Sequence, residues 1–397
     1  MKHIYFICLF LCLTVIFAAR PAQAQTETVL YNFCSQPSCT DGATPQSSLT
    51  FDAGGNLYGT TNGGGTFGYG TVFELSPNGS GGWNETVLYS FTGGADGANP
   101  DYSPVIFDSV GNLYGTAYGG GANGYGVVWE LSPVGRSWTE TVLYSFANDG
   151  DGAYPQAGVI MDPAGNLYGT TTPNSYDCSE PGTVFELSPS GGGWAEQAIY
   201  SVVTCTAGLA MDAAGNIFGV GSSIVFELSP NGNGGWSPTV IHTFASRYHA
   251  QGTPVLDKAG KLYGTASPRK RSTNGMVYKL SPGKKGTWAY KILYSFEGWQ
   301  SGDGYDPVGG VVLDMAGNVY GTTFSGGYPD EQAGIVFELV APVGKGSYAE
   351  KVLLAFNYTD GAYPLAGPIL DSAGNLYGTT EYGGSSGVYG VVFEVTP

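Results

Sequence analysis

Residues 52–60 read Asp-Ala-Gly-Gly-Asn-Leu-Tyr-Gly-Thr, and variants of this phrase return six more times along the 397-residue chain. Successive copies begin 45 to 57 residues apart. A period of roughly 40–50 residues is typical of propellers and solenoids, whose units bury their apolar faces against neighbouring units. The seven copies begin at Asp52, Asp108, Asp162, Asp212, Asp257, Asp314 and Asp371.

The unit that spans residues 85–132 predicts four β-strands. Each strand is a run of apolar, aromatic or β-branched residues, and glycine-rich turns separate the runs, which occupy 85–91, 104–107, 113–117 and 127–131. Four antiparallel strands form one propeller blade, so the sequence predicts an all-β, seven-bladed β-propeller. The run at 104–107 and the Gly-Asn-Leu-Tyr phrase after it resemble the inner two strands of NHL-type propellers. By that resemblance the run at 127–131 is the third strand, and the Thr-Val-Leu-Tyr-Ser-Phe run is the outermost strand.

The two ends of the chain predict how the ring closes. Residues 27–33 resemble an outermost strand, whereas residues 390–395 resemble a third strand. The last blade therefore lacks its own outer strand, and we expect the N-terminal strand to complete it. Such closure removes a free sheet edge that would otherwise promote aggregation.

The first 24 residues predict a secretory signal peptide. Lys2 and His3 precede an apolar run over residues 4–19, and Ala22-Gln23-Ala24 is a small-x-small cleavage site. Residues 25–397 are then a single propeller domain, periplasmic or extracellular after cleavage near Ala24. The mature chain has no further apolar run, so we expect no membrane span. The short basic start indicates a bacterial protein.

The charge of the chain limits its partners. The formal net charge is −17, with 15 basic and 32 acidic residues. Such a charge repels nucleic acid, so no nucleic-acid partner is expected. The remaining candidate partners are a polysaccharide or a cell-surface protein. We expect the protein itself to be a monomer.

The combined motifs resemble a known bacterial family. Val-Leu-Tyr-Ser-Phe, Asp-Gly-Ala-x-Pro, Gly-Asn-Leu-Tyr-Gly-Thr-Thr and Val-Phe-Glu-Leu-Ser-Pro together look like the GloVer tandem repeat, which is named for Gloeobacter and Verrucomicrobia. The resemblance covers essentially the whole mature chain and implies an exported repeat protein with no established activity. The fourth copy departs from the pattern, because Phe218 and Val220 replace Tyr and Thr.

Carboxylates near the predicted channel mouth are the first candidate site. An Asp-Gly turn joins an outer strand to the next inner strand in five repeats, and five such carboxylates could hold Ca²⁺. Asp-Gly is also a common tight-turn dipeptide, which leaves a structural role open. The candidates are the turn residues Asp41, Asp96, Asp151, Asp303 and Asp360, with Asp149 nearby and Asp101 on an inner strand.

Aromatic residues of the glycine-rich loops are the second candidate. These loops join second to third strands and should open on the same face as the Asp-Gly turns. Tyr69, Tyr125 and Tyr389 would project from them and stack on sugar rings or peptides. A flexible surface loop is the alternative interpretation.

A basic segment interrupts the acidic chain. Residues 247–291 contain ten basic residues, among them Arg269, Lys270, Arg271, Lys284 and Lys285. A solvated face is one explanation. An acidic partner, a polysaccharide or a second copy of the chain is the other.

Four cysteines follow the signal peptide and predict two disulfides in an exported protein. Cys34 and Cys39 are close enough in sequence for a local bridge. Cys178 and Cys205 lie in loops that should open on one face of the same blade. Both pairs are therefore expected to be bonded.

Two functions remain open from the sequence. The first is a secreted, non-enzymatic scaffold that binds carbohydrate or protein through its loop-rich face. The alternative is a metal-dependent hydrolase or lyase of the lactonase-like propeller type. The inner strands offer that alternative only Gln46, Asp101, Gln156 and Asp306, without histidine. Fold alone does not decide, since propellers host both classes.

Overall fold

The computed structural model describes residues 26–172, 181–203, 208–268, 274–327, 332–385 and 387–397. Seven four-stranded antiparallel sheets form a ring, and the described residues contain no α-helix. The chain is therefore the seven-bladed β-propeller that the repeat predicts. The predicted signal peptide lies outside the described residues.

The inner two strands are short in every blade except blade 5, and the second strand carries the Leu-Tyr-Gly-Thr motif or a variant of it. The innermost strands are Thr50–Phe51 (β2), Ile106–Phe107 (β6), Ile160–Met161 (β10), Ala210–Met211 (β14), Tyr248–Leu256 (β18), Val311–Leu313 (β23) and Ile369–Leu370 (β28). The second strands are Leu57–Thr61 (β3), Leu113–Ala117 (β7), Leu167–Thr171 (β11), Ile217–Val220 (β15), Leu262–Pro268 (β19), Val319–Thr323 (β24) and Leu376–Thr380 (β29).

Outside blade 5 the outer two strands are longer than the inner two, and in six blades they form a hairpin. The third strands are Thr71–Pro77 (β4), Val127–Val134 (β8), Pro181–Ser190 (β12), Ile224–Pro230 (β16), Met276–Pro282 (β20), Ile335–Val340 (β26) and Val391–Thr396 (β30). The outermost strands are Trp83–Ser90 (β5), Ser137–Ser145 (β9), Gly193–Val203 (β13), Trp236–Thr243 (β17), Trp288–Ser295 (β21), Ala349–Ala355 (β27) and Thr26–Asn32 (β1).

A few short elements lie outside the blades. Gly304–Tyr305 (β22) pairs with Ser325–Gly326 (β25) beside blade 6. Single 3-10 turns occupy Pro37–Cys39, Lys284–Gly286 and Trp299–Ser301. None of the described helices has the length and apolar character needed to cross a membrane.

The N-terminal strand closes the ring as predicted. Strand β1 pairs antiparallel with β30, with Thr26 opposite Thr396 and Asn32 opposite Val391. The backbone N–H of Phe33 also donates to the carbonyl of Gly390 at 3.1 Å. Blade 7 is thus built from both ends of the described chain.

The repeated phrase is a hydrogen-bonded turn between the first and second strands. In the first copy, Oδ1 of Asp52 accepts the backbone N–H groups of Gly54 and Asn56, each at 2.8 Å. Its Oδ2 accepts the Asn56 side-chain amide at 2.8 Å and the Tyr58 hydroxyl at 3.3 Å. One carboxylate therefore satisfies the turn and anchors the tyrosine of the next strand.

The glycine of the second strand makes room for an aromatic ring. Gly59 stands opposite Phe73 of the third strand, and a Cβ added to Gly59 would lie 2.7 Å from that ring. The same pairing joins Gly378 to Phe393. The group that needs this space is therefore an aromatic ring of the same blade.

Neighbouring blades pack through aromatic side chains. Trp83 of blade 1 contacts Tyr377 of blade 7 edge-on, with ring centroids 6.4 Å apart. Trp236 of blade 4 contacts Tyr168 of blade 3 in the same way at 5.6 Å. Each blade interface is therefore a small hydrophobic core, which explains how one domain reaches this size.

The antiparallel order fixes two faces of the ring. Turns from outermost to innermost strands and loops from second to third strands open on one face, which we call the mouth face. The Asp-x-x-Gly-Asn turns and the hairpins between third and fourth strands open on the other face, which we call the base face. The predicted carboxylate and tyrosine sites all belong to the mouth face.

Candidate functional site

A central channel enters the ring from the mouth face. It encloses a cavity of about 190 Å³, to which all seven blades contribute. The lining residues include Gln46, Tyr102, Gln156, Gly208, Gln251, Val308 and Leu365. These positions differ from blade to blade, in contrast to the regular strands around them.

Five blades hold a non-glycine residue in the left-handed backbone region where the chain enters the channel. The residue precedes a proline in each case, and φ lies between +53° and +61°. Its backbone N–H donates to the glycine-rich loop of the preceding blade, as Asn99 does to Tyr69 at 2.9 Å. Such conformations cost free energy and concentrate at binding sites. The five residues are Thr44, Asn99, Tyr154, Asp306 and Tyr363.

A hydrogen-bonded polar cluster joins blades 7, 1 and 2 at the mouth. Nε2 of Gln46 donates to Oε1 of Glu381 at 2.9 Å, and Nδ2 of Asn62 donates to Oε1 of Gln46 at 3.1 Å. Nδ2 of Asn99 in turn donates to Oδ1 of Asn62 at 2.9 Å. The chain of contacts links three blades and ends beside Asp101. We call these five residues the mouth cluster.

Asp101 carries the unused hydrogen-bonding capacity of the mouth cluster. Its Oδ1 is buried and has no hydrogen-bond partner among the described residues. Burial, and then the charge of Glu381, raise the pKa of Asp101 to about 7. Burial also raises the pKa of Glu381. Near neutral pH Asp101 can therefore donate or accept a hydrogen bond, and a buried group left without one costs free energy.

Aromatic rings lie beside both ends of the mouth cluster. Tyr118 and Tyr154 stack with ring centroids 4.9 Å apart, on the blade 2 and 3 side. Phe324 and Tyr363 stack at 4.8 Å on the blade 6 and 7 side, where Tyr382 meets Tyr363 edge-on. Polar groups between apolar ring faces are the usual composition of a small-molecule site.

Exposed aromatic side chains concentrate in the same sector. Among the described residues, the large aromatic side chains that are at least a third exposed all lie on the mouth face near blades 7 and 1. They are Phe67, Tyr69, Tyr358, Tyr382 and Tyr389. Tyr69 and Tyr389 are two of the three predicted tyrosines. The third, Tyr125, is less exposed and packs against Tyr154 at 5.6 Å.

The aspartates of the Asp-Gly turns are engaged by the protein itself. The residue Asp41 is buried, with 2% of its surface exposed. Its Oδ2 accepts hydrogen bonds from the hydroxyls of Tyr31 and Ser35 and from the backbone N–H of Ser35, at 2.8 to 2.9 Å. Asp151 accepts the Tyr144 hydroxyl at 2.9 Å. The remaining turn aspartates also accept hydrogen bonds, Asp96 from Tyr89, Asp303 from Tyr294 and Asp360 from the backbone of Asn357. These contacts give the turns a structural role, and ion binding by them stays a prediction.

The sequence interpretation did not single out a glutamate that accompanies each Asp-Gly turn. Burial, and then the charge of Asp41, raise the pKa of Glu85 in β5 to about 7. The same holds for Glu140 beside Asp96. Each glutamate lies on the outermost strand of the blade into which its Asp-Gly turn leads. Five such pairs exist: Glu27 with Asp360, Glu85 with Asp41, Glu140 with Asp96, Glu196 with Asp151, and Glu350 with Asp303.

The signal for these pairs is present in the sequence as a correlation. Blades 4 and 5 carry Pro238 and Tyr290 where the other blades have the glutamate. The sequence segments that take the place of the Asp-Gly dipeptide before them, residues 204–207 and 245–247, contain no aspartate. Glutamate and aspartate are thus present or absent together, although 44 to 47 residues separate them in four pairs and 333 residues separate Glu27 from Asp360.

The four acids and amides predicted on inner strands lie instead in the segments just before those strands, and two of them, Gln156 and Asp306, lie apart from the mouth cluster. Oε1 of Gln156 accepts the Thr172 hydroxyl at 3.4 Å in blade 3. Asp306 lies in blade 6, where burial raises its pKa. Asp149 is an exposed turn residue. Among the described residues, no group of three or more His, Cys, Asp or Glu side chains converges as a metal site would require.

Two of the predicted features involve residues outside the described part of the chain. Cys34 and Cys39 form the predicted disulfide. Cys178 and Cys205 lie outside the described residues, as do Arg269, Lys270 and Arg271. Lys284 and Lys285 form an exposed turn between β20 and β21 on the base face.

Together these features define a seven-bladed β-propeller with a polar, aromatic-flanked channel mouth. The chain belongs to the Gloeobacter/Verrucomicrobia repeat family, whose model matches residues 13–223 and 205–397. No curated protein is similar enough to count as a match.

Solved structures share the fold at low sequence identity. Virginiamycin B lyase from Staphylococcus aureus is 10% identical with a TM-score of 0.57, over 94% of this chain and 99% of that chain. A protein from Lactobacillus plantarum is 15% identical with a TM-score of 0.52, over 82% and 88%. Polysaccharide lyase Uly1 is 11% identical with a TM-score of 0.51, over 92% of each chain. At such identities the likeness extends to the propeller fold alone.

Proposed function

We propose that this protein is an exported, non-enzymatic propeller that binds an uncharged saccharide at its channel mouth. The observation that carries the proposal is the mouth cluster, in which amide and carboxyl groups of three blades converge around the unpaired Oδ1 of Asp101. Export is supported by the signal-type start of the sequence and by the Cys34–Cys39 disulfide.

The chemistry of the mouth cluster favours hydroxyl groups as ligands. Amides donate and accept, and a carboxyl group with a pKa of about 7 does the same near neutral pH. A sugar hydroxyl also donates and accepts, so it can replace the missing partner of Asp101. A charged anion would meet repulsion from Asp101 and Glu381, which favours an uncharged saccharide.

The aromatic rings supply the apolar part of the site. The C–H faces of a pyranose ring are apolar, and Tyr382 and Tyr118 offer ring faces or edges beside the cluster. Such a division between a few orienting polar groups and apolar walls is common in ligand pockets. The exposed Tyr69 and Tyr389 extend the aromatic surface outward, as a chain of several sugars would require.

A glycan array followed by calorimetry tests the proposal. Wild-type protein should bind neutral oligosaccharides on the array, and Asp101→Ala should weaken the affinity for the best of them by about tenfold or more. Asp149→Ala removes an exposed mouth-face carboxylate and should leave affinity unchanged, as should Gln197→Ala on an exposed strand. Equal loss in all three variants, or no neutral saccharide bound, would refute the site.

A turnover assay separates binding from catalysis. The bound saccharide is incubated with the protein, and new reducing ends and unsaturated products are measured. We expect neither. Turnover that disappears in Asp101→Ala would keep the site and replace the non-enzymatic assignment by the hydrolase or lyase alternative.

A further inference from the structure

A second, chemically opposite site lies on the base face between blades 5 and 6. An open groove there has a volume of about 920 Å³, which lies within the range of ligand-sized pockets. Five lysines line it, although the whole chain has only 15 basic residues. They are Lys258, Lys261, Lys279, Lys291 and Lys345, and we call this site the lysine groove.

The lysine groove arises where the fifth repeat departs from the other six. Lys279 occupies a position at which every other blade has a glutamate, namely Glu74, Glu130, Glu186, Glu227, Glu338 and Glu394. Lys261 occupies a position at which every other blade has an asparagine, namely Asn56, Asn112, Asn166, Asn216, Asn318 and Asn375. Both departures put a positive charge on the same groove wall.

The lysines of the groove wall repel one another. Lys279 of β20 stands directly opposite Lys291 of β21, and like charges in that position destabilise a sheet. Burial, and then the charges of Lys261 and Lys291, lower the pKa of Lys279. Lys261 has an ion pair with Asp257 at 3.6 Å, and Lys279 lies 5.8 Å from the ring centroid of Tyr263. Five lysines face the two aspartates of the lining, Asp257 and Asp314, so the groove keeps an excess of positive charge that an anion would stabilise.

The corresponding groove between blades 3 and 4 shows what the exchange changes. There, Glu186 accepts the indole N–H of Trp236 at 3.2 Å, so the two side chains satisfy each other across the boundary. That groove has a volume of about 400 Å³. In the lysine groove, Lys279 and Tyr348 take these two places, and the Tyr348 hydroxyl donates to the carbonyl of Gly317 at 3.3 Å. Lysine cannot accept a hydrogen bond, so the interblade pair is lost.

We propose that the lysine groove binds a saccharide chain that carries carboxylate groups, such as a uronate oligomer. Lysine ammonium groups act as flexible point charges and suit carboxylates spaced along a polymer. Tyr348, which is only partly buried, supplies aromatic surface for a sugar ring between those carboxylates. The net charge of −17 disfavours a nucleic acid, which would extend beyond the groove over an acidic surface. The mouth cluster, with its two acids, would reject the same ligand.

Calorimetry with trigalacturonate is the test, at low salt because screening weakens such contacts. Wild-type protein should bind trigalacturonate, and any heat with maltotriose should be unchanged by Lys279→Glu, because a neutral saccharide would bind at the mouth cluster instead. Lys279→Glu should weaken trigalacturonate binding by about tenfold or more. Arg136→Glu makes the same charge change in an exposed hairpin of the same face and should have little effect. An equal loss of trigalacturonate affinity in both variants would show that only the net charge of the protein matters, and it would overturn the proposal.

A second variant guards against loss of folding. The triple change K261N, K279E and K291T introduces the residues that all other blades carry at the first two positions and that four of them carry at the third. It should raise the melting temperature while abolishing trigalacturonate binding. A more stable variant that still binds would overturn the proposal. Calorimetry with tetraglutamate tests whether the groove prefers an acidic peptide to an acidic saccharide. Binding of tetraglutamate as tight as that of trigalacturonate would overturn the saccharide assignment in favour of an acidic peptide.

Discussion

Glu85 of blade 1 and Asp41 of the preceding turn place two carboxyl groups side by side across a blade boundary. Asp41 is held by the Tyr31 hydroxyl and by backbone N–H groups. Oε1 of Glu85 is buried with no hydrogen-bond partner among the described residues. Burial, and then the charge of Asp41, raise the pKa of Glu85 from 4.5 to about 7.

The five Glu–Asp pairs predict that the ring is more stable in mild acid than in mild base. A group whose pKa is raised in the folded state binds its proton more tightly there. Its contribution is fully present below about pH 4.5 and is lost as the pH rises through about 7. Urea denaturation should therefore give a larger free energy of unfolding at pH 5 than at pH 8.

Glutamine substitutions test the origin of that pH dependence. Replacing Glu85 and Glu140 by glutamine should flatten the change in stability between pH 5 and pH 8, because the raised carboxyl groups are gone. Glu74→Gln and Glu130→Gln change glutamates of the third strands in the same blades and should flatten it less. An unchanged slope in the first double variant would contradict the prediction.

Removal of residues 25–33 should open the ring. This deletion takes away β1 and leaves β30 with an unpaired edge, so the melting temperature should fall sharply by circular dichroism. A synthetic peptide of residues 25–33 should restore part of the lost stability. A melt that matches the full chain would show that blade 7 does not depend on β1.

Gly378→Ala should destabilise the fold through a steric clash alone. The added Cβ would lie 2.5 Å from the Phe393 ring, and φ of Gly378 is ordinary, so alanine has no backbone conflict. Overpacking of this kind costs about 1–3 kcal/mol in urea denaturation. Gly193→Ala is the matched control, because its Cβ would have no neighbour closer than 4.0 Å. Equal stability of the two variants would contradict the packing account.

Glu381→Gln should lower the pKa of Asp101. The charge of Glu381 is the second cause of the raised Asp101 pKa, after burial, and glutamine removes that charge. Carbon-detected NMR titration of the Asp101 carboxyl group measures the shift. Glu394→Gln, at the distal end of blade 7, should leave the Asp101 pKa unchanged. A pKa that does not respond to Glu381→Gln would show that the two acids do not interact.

Much of the fold could be predicted because nearly the same contacts repeat from blade to blade. Asp52 and Tyr58 are joined through one carboxylate, and the same contact recurs with the same spacing in every blade except blade 4, where Phe218 replaces the tyrosine. Ring closure followed from which strand types stand at the two ends. Both inferences needed only local hydrogen bonding and the order of elements.

The site could be predicted only in part, because its residues meet through the closure of the ring. Gln46 and Glu381 are 335 residues apart in the chain, and only the return of blade 7 to blade 1 brings them together. Glu381 has no counterpart in the other repeats, so no pattern marked it. Asp101 was predicted as a candidate on an inner strand, but it lies in the turn before β6, and its unpaired oxygen is a property of the packed mouth.

The most direct test of the proposed binding site is a crystal structure with the neutral saccharide that the glycan array selects. We predict that a saccharide hydroxyl lies within hydrogen-bond distance of Oδ1 of Asp101 and that a sugar ring contacts Tyr382 or Tyr118. A saccharide bound on the base face or the outer rim, with the mouth cluster unchanged, would contradict this account.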